Sequence, residues 1–143
     1  MFKNILVPLD GSANSKRALD SAIEIAKDDK SKLFLLSIIN TTTLYYGSGT
    51  SPIMPNDLLE DQEKFSQHIL DDAVAKVKDA GVDYNSELKI GNPKDIIAEA
   101  YPKANNIDLI VIGKTGKDAL GKLLIGSTTS YVVRESPYKV MVV

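Results

Sequence analysis

Unbroken apolar runs of strand length recur along the chain, and helical periodicity fills the intervals between them. The clearest is Asp108-Leu109-Ile110-Val111-Ile112-Gly113, with Asn4–Leu9, Lys32–Ile39 and the closing Lys139–Val143 of the same kind. A strand without a polar face has to be covered on both sides, which is the situation of a parallel sheet sandwiched by helices. Between the runs, Ala18, Leu19, Ala22, Ile23 and Ala26 return at helical spacing, as do Leu58, Phe65, Ile69, Ala73, Val77 and Ala80. Ile96, Ile97, Ala100 and Ala104 give a third helix its expected buried face, and Tyr131 and Val132 point a short fourth one inward. The alternation predicts an α/β fold: one domain over residues 1–143, with a five-stranded parallel sheet and helices on both faces.

Local signals punctuate this pattern. Ser12 or Asn14 serves as N-cap of the first helix, and Gly81 stands where a helix end favours left-handed geometry. Val82–Ile90 alternates, with Tyr84, Ser86 and Leu88 on one side and Asn85, Glu87 and Lys89 on the other, as a partly exposed edge strand would. Asn92-Pro93 starts a helix, with Asp95 in its first turn. Residues 40 to 56 carry no periodicity, and a connection that long within a compact domain is usually functional or mobile.

Composition closes off several chemistries. The 143 residues contain no cysteine and a single histidine, His68, which excludes thiol nucleophiles, zinc–thiolate sites and multi-histidine metal sites within one chain. A net charge of −2 with no basic block lacks the footprint of nucleic-acid binding. The first apolar run is too short for a signal peptide, and nothing approaches the ~20 apolar residues of a membrane span, so a cytoplasmic, membrane-free protein is expected.

In open parallel sheets ligands bind beyond the carboxyl ends of the strands. The first strand ends in Asp10-Gly11-Ser12, and the fourth in Gly113-Lys114-Thr115-Gly116, followed by Gly126-Ser127-Thr128 at a helix start. Glycines admit a phosphate close to the backbone, and the first N–H groups of a helix attract anions. The same residues would equally make a tight turn and a helix cap. A P-loop is ruled out, because its first glycine would fall at Asp108. A receiver domain is ruled out too, since the third strand ends in Lys89-Ile90-Gly91, with no phosphoacceptor aspartate.

The spacing Gly113-x2-Gly116-x9-Gly126-Ser127 resembles the nucleotide-binding motif of universal stress proteins. The opening Ile5-Leu6-Val7-Pro8-Leu9-Asp10-Gly11-Ser12 and the closing Ser136-Pro137-Tyr138-Lys139-Val140-Met141-Val142-Val143 resemble that family's first strand and its proline-led last strand, so the likeness spans the chain in order. The resemblance implies strand order 3-2-1-4-5 in a Rossmann-like, adenine nucleotide alpha-hydrolase-like fold. It implies ATP as ligand, with magnesium on its phosphates and no dedicated protein cage for the metal. Asp10 would meet the adenine or ribose, Pro8 and Leu9 would line the cleft, and Ile38 would pack on the adenine. Ile112 and Gly113 would close the other side, with Thr115 in the same turn, while Gly116, Gly126, Ser127 and Thr128 would cradle the phosphates. It also implies a homodimer in which the strands Val140–Val143 pair across a two-fold axis.

The function expected on this footing is a nucleotide-dependent sensor or adaptor in the stress response, not a turnover enzyme. A nucleotide-free dimeric interaction module is the alternative, and a slow ATPase a weaker one. Arg17 and Arg134 are the only arginines, both on predicted helices, so no group is evident to stabilise transferring charge. His68, the Asp28-Asp29 and Asp71-Asp72 pairs and the Asp57–Glu63 run read as solvated helix or loop charges, and Tyr45-Tyr46 either cover a ligand or pack on the domain.

Overall fold

The computed structural model describes residues 1–42, 56–115 and 124–143. Five strands, β1 (Asn4–Pro8), β2 (Lys32–Asn40), β3 (Tyr84–Gly91), β4 (Leu109–Ile112) and β5 (Lys139–Val142), form one sheet in the order β3-β2-β1-β4-β5. All four pairings are parallel. The helices are α1 (Ala13–Asp29), α2 (Asn56–Asp79), α3 (Pro93–Asp95), α4 (Tyr101–Asn105) and α5 (Ser127–Glu135), with a π segment, Ile96–Ala100, joining α3 to α4.

The unbroken apolar strands are explained by two cores, one on each face. Ile5, Val7, Leu33, Leu35, Leu109 and Val111 face α1 and α2, where Ala18, Leu19, Ala22, Leu70 and Val77 meet them. The alternate residues Leu6, Phe34, Leu36, Ile110 and Ile112 face the other way, against Ile97, Ala98, Tyr101 and Val132. Each large side chain buried this way contributes about 1.5–3 kcal/mol, so one run of sequence supplies both cores.

Ser12, not Asn14, caps α1: its hydroxyl accepts from the Ser15 N–H at 3.1 Å. Gly81 (φ 71°) closes α2, with the Val82 N–H reaching back to the Val77 carbonyl at 3.2 Å. The second strand runs one residue further than the pattern indicates, and the third spans Tyr84–Gly91. That third strand is a partly exposed edge, as expected, with no buried residue, although the exposed positions Asn85, Ser86, Lys89 and Ile90 do not follow the strict alternation.

Two helix faces differ from expectation. In α2 the buried residues are Ser66, Leu70, Ala73 and Val77, while Leu58 and Phe65 stand 42% and 47% exposed. The expected stripe holds at Ala73 and Val77, which are buried, and at Ile69 and Ala80, which pack against the same core, and Leu70 and Ser66 join them on the inner face. In the third helical stretch Ile97, Ala98, Tyr101 and Pro102 are buried, and Ala100 and Ala104 are exposed. Burying the Tyr101 ring edge-on to Phe34, with centroids 6.5 Å apart, outweighs burying two methyl groups. Pro102 has no N–H to return to the Ala98 carbonyl. The backbone widens there, the Tyr101 N–H bonding to the Ile96 carbonyl, and the Ser136 hydroxyl donates to the Ala98 oxygen at 2.6 Å.

In α5 Thr129 and Val132 are buried, and Tyr131 is half-buried against the same core, its hydroxyl 3.4 Å from Asp95. No helix among the described residues is long and apolar enough to cross a membrane.

Candidate functional site

The carboxyl ends of β1, β2 and β4 open into one cleft of about 630 Å³, within the range typical of small-ligand sites. The strand order sets its position, because β1 is flanked by β2 and β4 and the winding reverses on either side of it.

β1 contributes Pro8, Leu9 and Asp10. The Leu9 N–H donates to the Leu36 carbonyl at 2.8 Å, holding the turn to β2 beyond the last strand residue. Asp10 is exposed, and its carboxylate accepts the Ser12 N–H at 2.9 Å. Gly11 makes the turn at φ 82°, a left-handed conformation that glycine adopts without steric penalty. A Cβ there would stand 3.1 Å from Ile69 Cδ1 and 3.7 Å from Phe65 Cζ, so α2 rests directly on this turn.

β4 contributes Ile112 and Gly113. Thr115 follows, buried, and both its hydroxyl and its carbonyl oxygen contact the Asn14 amide, the carbonyl at 3.3 Å. The chain returns at Gly126, whose N–H donates to the Lys114 carbonyl at 2.7 Å and closes the excursion. Lys114 is itself tied by its N–H to the Val143 carbonyl at 2.8 Å. Gly126 is the N-cap of α5 and brings no side chain to that role. The first N–H groups of a helix have no intrahelical acceptor, so this end of the cleft presents backbone donors beside the side chains of Ser127 and Thr128. Thr129, one residue on, turns away to donate to the Gly113 carbonyl at 2.7 Å.

Of the residues singled out in the sequence, Pro8, Leu9, Asp10, Ile38, Ile112, Gly113, Thr115, Ser127 and Thr128 line this one cleft. Gly126 stands immediately behind Ser127. Gly116 lies outside the described residues, as do Gly121, Lys117, Lys122 and the Tyr45-Tyr46 pair. Sequence reasoning missed the wall given by α2, with Gln62, Phe65, Ser66 and Ile69, and the far rim at Pro93 and Ile97. Helical spacing assigns Phe65 and Ile69 to a core-facing stripe, which hides that the first turns of α2 overhang the strand ends. His68 is on the outer surface of α2, 3.5 Å from Asp72, away from the cleft.

The lining differs along the cleft. β2 and α2 bring Ile38, Ile39, Phe65 and Ile69 together with Ser37, Asn40, Gln62 and Ser66, whereas the β4–α5 side is lined by the hydroxyls of Thr115, Ser127, Thr128 and Thr129. Among the described residues no three His, Cys, Asp or Glu side chains gather to hold a metal. With one exposed carboxylate and a few hydroxyls, the donor set suits a cation carried on a ligand's own phosphates rather than a protein cage.

The model of the universal stress protein family matches residues 1–143. A putative universal stress protein of Staphylococcus aureus strain USA300 is 32% identical over 143 residues, covering 99% of this chain and 84% of that relative. Among solved structures, the universal stress protein UspA from Lactobacillus plantarum superposes with a TM-score of 0.82 at 29% identity, covering 99% of this chain and 97% of that one. A universal stress protein crystallised in complex with cAMP superposes with a TM-score of 0.74 at 27% identity, over 99% and 97% of the two chains. The strand order, the whole-length family match and these similarities all agree: the chain belongs to the universal stress protein family.

Proposed function

We propose that the cleft binds ATP and that the protein is a cytoplasmic, nucleotide-dependent sensor or adaptor. The observation that carries this reading is the convergence of an apolar pocket and an uncapped helix N-terminus in one cleft. Leu9, Ile38 and Ile112 suit a purine and ribose, and the N–H groups of Ser127 and Thr128 suit phosphate oxygens. A related structure holding cAMP supports the choice of an adenine nucleotide. Asp10 is assigned to the ribose or base, and Gly116 and Gly126 to the phosphate path. Magnesium would travel with the phosphates, taking at most a hydroxyl or carboxylate from the chain, and its contribution there is to neutralise phosphate charge.

The same reading makes the protein a homodimer. β5 is an edge strand whose Met141 and Val142 are each 38% exposed, and an apolar edge of this kind pairs unless it is covered.

The direct test is to denature freshly purified protein and identify released nucleotide by chromatography. The chain has no tryptophan, so excess absorbance near the nucleotide maximum already reports cargo. ATP near one per chain is the expected result. No nucleotide on isolation, and no uptake from magnesium and ATP, would falsify the reading and favour a nucleotide-free interaction module.

A further inference from the structure

Resting on the nucleotide-binding reading above, we propose that Asn14 and Arg17, at the start of α1, are positioning residues that commit the Thr115 hydroxyl to donating its proton to a phosphate oxygen in the cleft. Three polar side chains form a chain of hydrogen bonds. The Arg17 guanidinium donates to Asn14 Oδ1, and Asn14 Nδ2 donates to the Thr115 hydroxyl and, at 3.3 Å, to the Thr115 carbonyl oxygen. The direction of that chain is forced from both ends. A guanidinium has no acceptor and a carbonyl oxygen has no donor, so the Asn14 amide cannot be turned over. The Thr115 hydroxyl oxygen therefore accepts from Asn14, and its single proton is left for another partner. Thr115 is 7% exposed and lines the cleft together with Ser127 and Thr128, and among the described residues no group accepts that proton.

The needs of α1 do not account for this pair. Ser12 already caps the helix, and asparagine inside a helix is a poorer former than alanine. Arg17 is exposed, and with Lys16 it sets positive charge near the positive end of the helix dipole, with no acid in the first turn to offset it. What the pair does is hold one hydroxyl of the loop leaving β4, which the backbone contact between Gly113 and Asn14 keeps against α1. Neither residue lines the cleft, so both act through Thr115. A chain of hydrogen bonds that starts on a cation polarises each member in turn, and the Thr115 O–H becomes a stronger donor than an isolated hydroxyl. The acceptor that suits such a donor is a charged oxygen, and the phosphates assigned to the β4–α5 side of the cleft carry it.

Calorimetric titration of ATP and adenosine into the full chain, with a melting curve for each variant, tests this. Thr115→Val is expected to weaken ATP about tenfold, the effect of losing one hydrogen bond to a charged group, and to leave adenosine unchanged. Thr115→Ser, which keeps the hydroxyl, should retain the ATP affinity. Asn14→Ala should weaken ATP by a similar factor, yet cost little further when Thr115→Val is already present. Arg17→Met, at an exposed position that the fold tolerates, should weaken ATP severalfold and likewise fall silent in the Thr115→Val background, whereas a bare charge effect of Arg17 would persist there. Wild-type ATP affinity in Thr115→Val, or an equal loss for adenosine, overturns the phosphate donor. Losses from Asn14→Ala and Arg17→Met that are undiminished in the Thr115→Val background overturn the relay and leave the nucleotide site standing. A wild-type chain that takes up no ATP overturns the site and the relay together.

Discussion

Gly113 and Asn14 are in backbone contact: a Cβ on Gly113 would stand 2.8 Å from the Asn14 carbonyl carbon and 2.9 Å from the Ser15 nitrogen. The first glycine of the Gly113–Gly126 segment is therefore small because α1 begins against the end of β4. Its role is to let helix and strand close up, and this holds Asn14 where its amide meets Thr115.

Replacing Gly113 with alanine forces backbone apart rather than a flexible side chain, so the α1 N-terminus has to move. Overpacking of this kind costs about 1–3 kcal/mol. Urea denaturation of Gly113→Ala is expected to show a loss in that range. A midpoint unchanged from wild type would mean that α1 can shift without cost and that the contact does not constrain the residue.

The two cores were legible in the sequence because strands such as Leu109–Ile112 have no polar face to misassign. Their order, and the meeting of the β1 and β4 ends, came from the resemblance to universal stress proteins, since strands apolar on both faces do not say which neighbours they pair with. The face of α2 was not fully legible, because Leu58, Leu59, Phe65, Ile69, Leu70 and Val74 spread apolar character over more than one stripe. The packing of Leu70, Ala73 and Val77 into the core under β1 and β2 decides which side turns in. Pro102 likewise hid the true face of its helix, since a widened turn shifts every following residue relative to a 3.6-residue period. The α2 wall of the cleft is a tertiary relationship between residues more than twenty positions apart, and no local signal reports it.

The Pro102 turn gives a prediction with an internal control. Ser136→Ala removes the hydroxyl that satisfies the Ala98 carbonyl, a loss of about 1 kcal/mol. Pro102→Ala restores an N–H at the position that normally serves that carbonyl. In the Pro102→Ala background, Ser136→Ala should therefore cost distinctly less, as a double-mutant cycle of denaturation free energies would reveal. Additive losses would show that Ser136 acts independently of the missing donor.

Tyr101 makes the fold sensitive to alkali. Burial first, and the neighbouring Glu87 carboxylate second, push its phenol well above the ordinary value of 10. A raised folded value means that the neutral phenol's contribution is fully present below pH 10 and is lost as pH climbs through the folded value, because the unfolded chain ionises first. Alkaline unfolding followed by circular dichroism should therefore begin above about pH 10. Tyr101→Phe should flatten that limb while leaving the neutral-pH melting temperature close to wild type. An identical alkaline limb in the variant would assign the sensitivity to another group.

Gly126 allows stability and binding to be moved in opposite directions. Its φ of −61° and ψ of 155° are open to any residue, and it makes no side-chain cap on α5. An aspartate there can accept the N–H of Thr128 or Thr129 and adds negative charge at the helix start, both of which stabilise a helix. Gly126→Asp is therefore expected to leave thermal stability equal to wild type or raise it by a few tenths of a kcal/mol. The carboxylate would occupy the donors assigned to phosphate and repel its charge, so ATP affinity should fall at least tenfold. Titration of ATP beside a melting curve separates the two effects. A variant that keeps wild-type affinity would show that the α5 N-terminus holds no phosphate and that Gly126 serves only to close the turn onto Lys114.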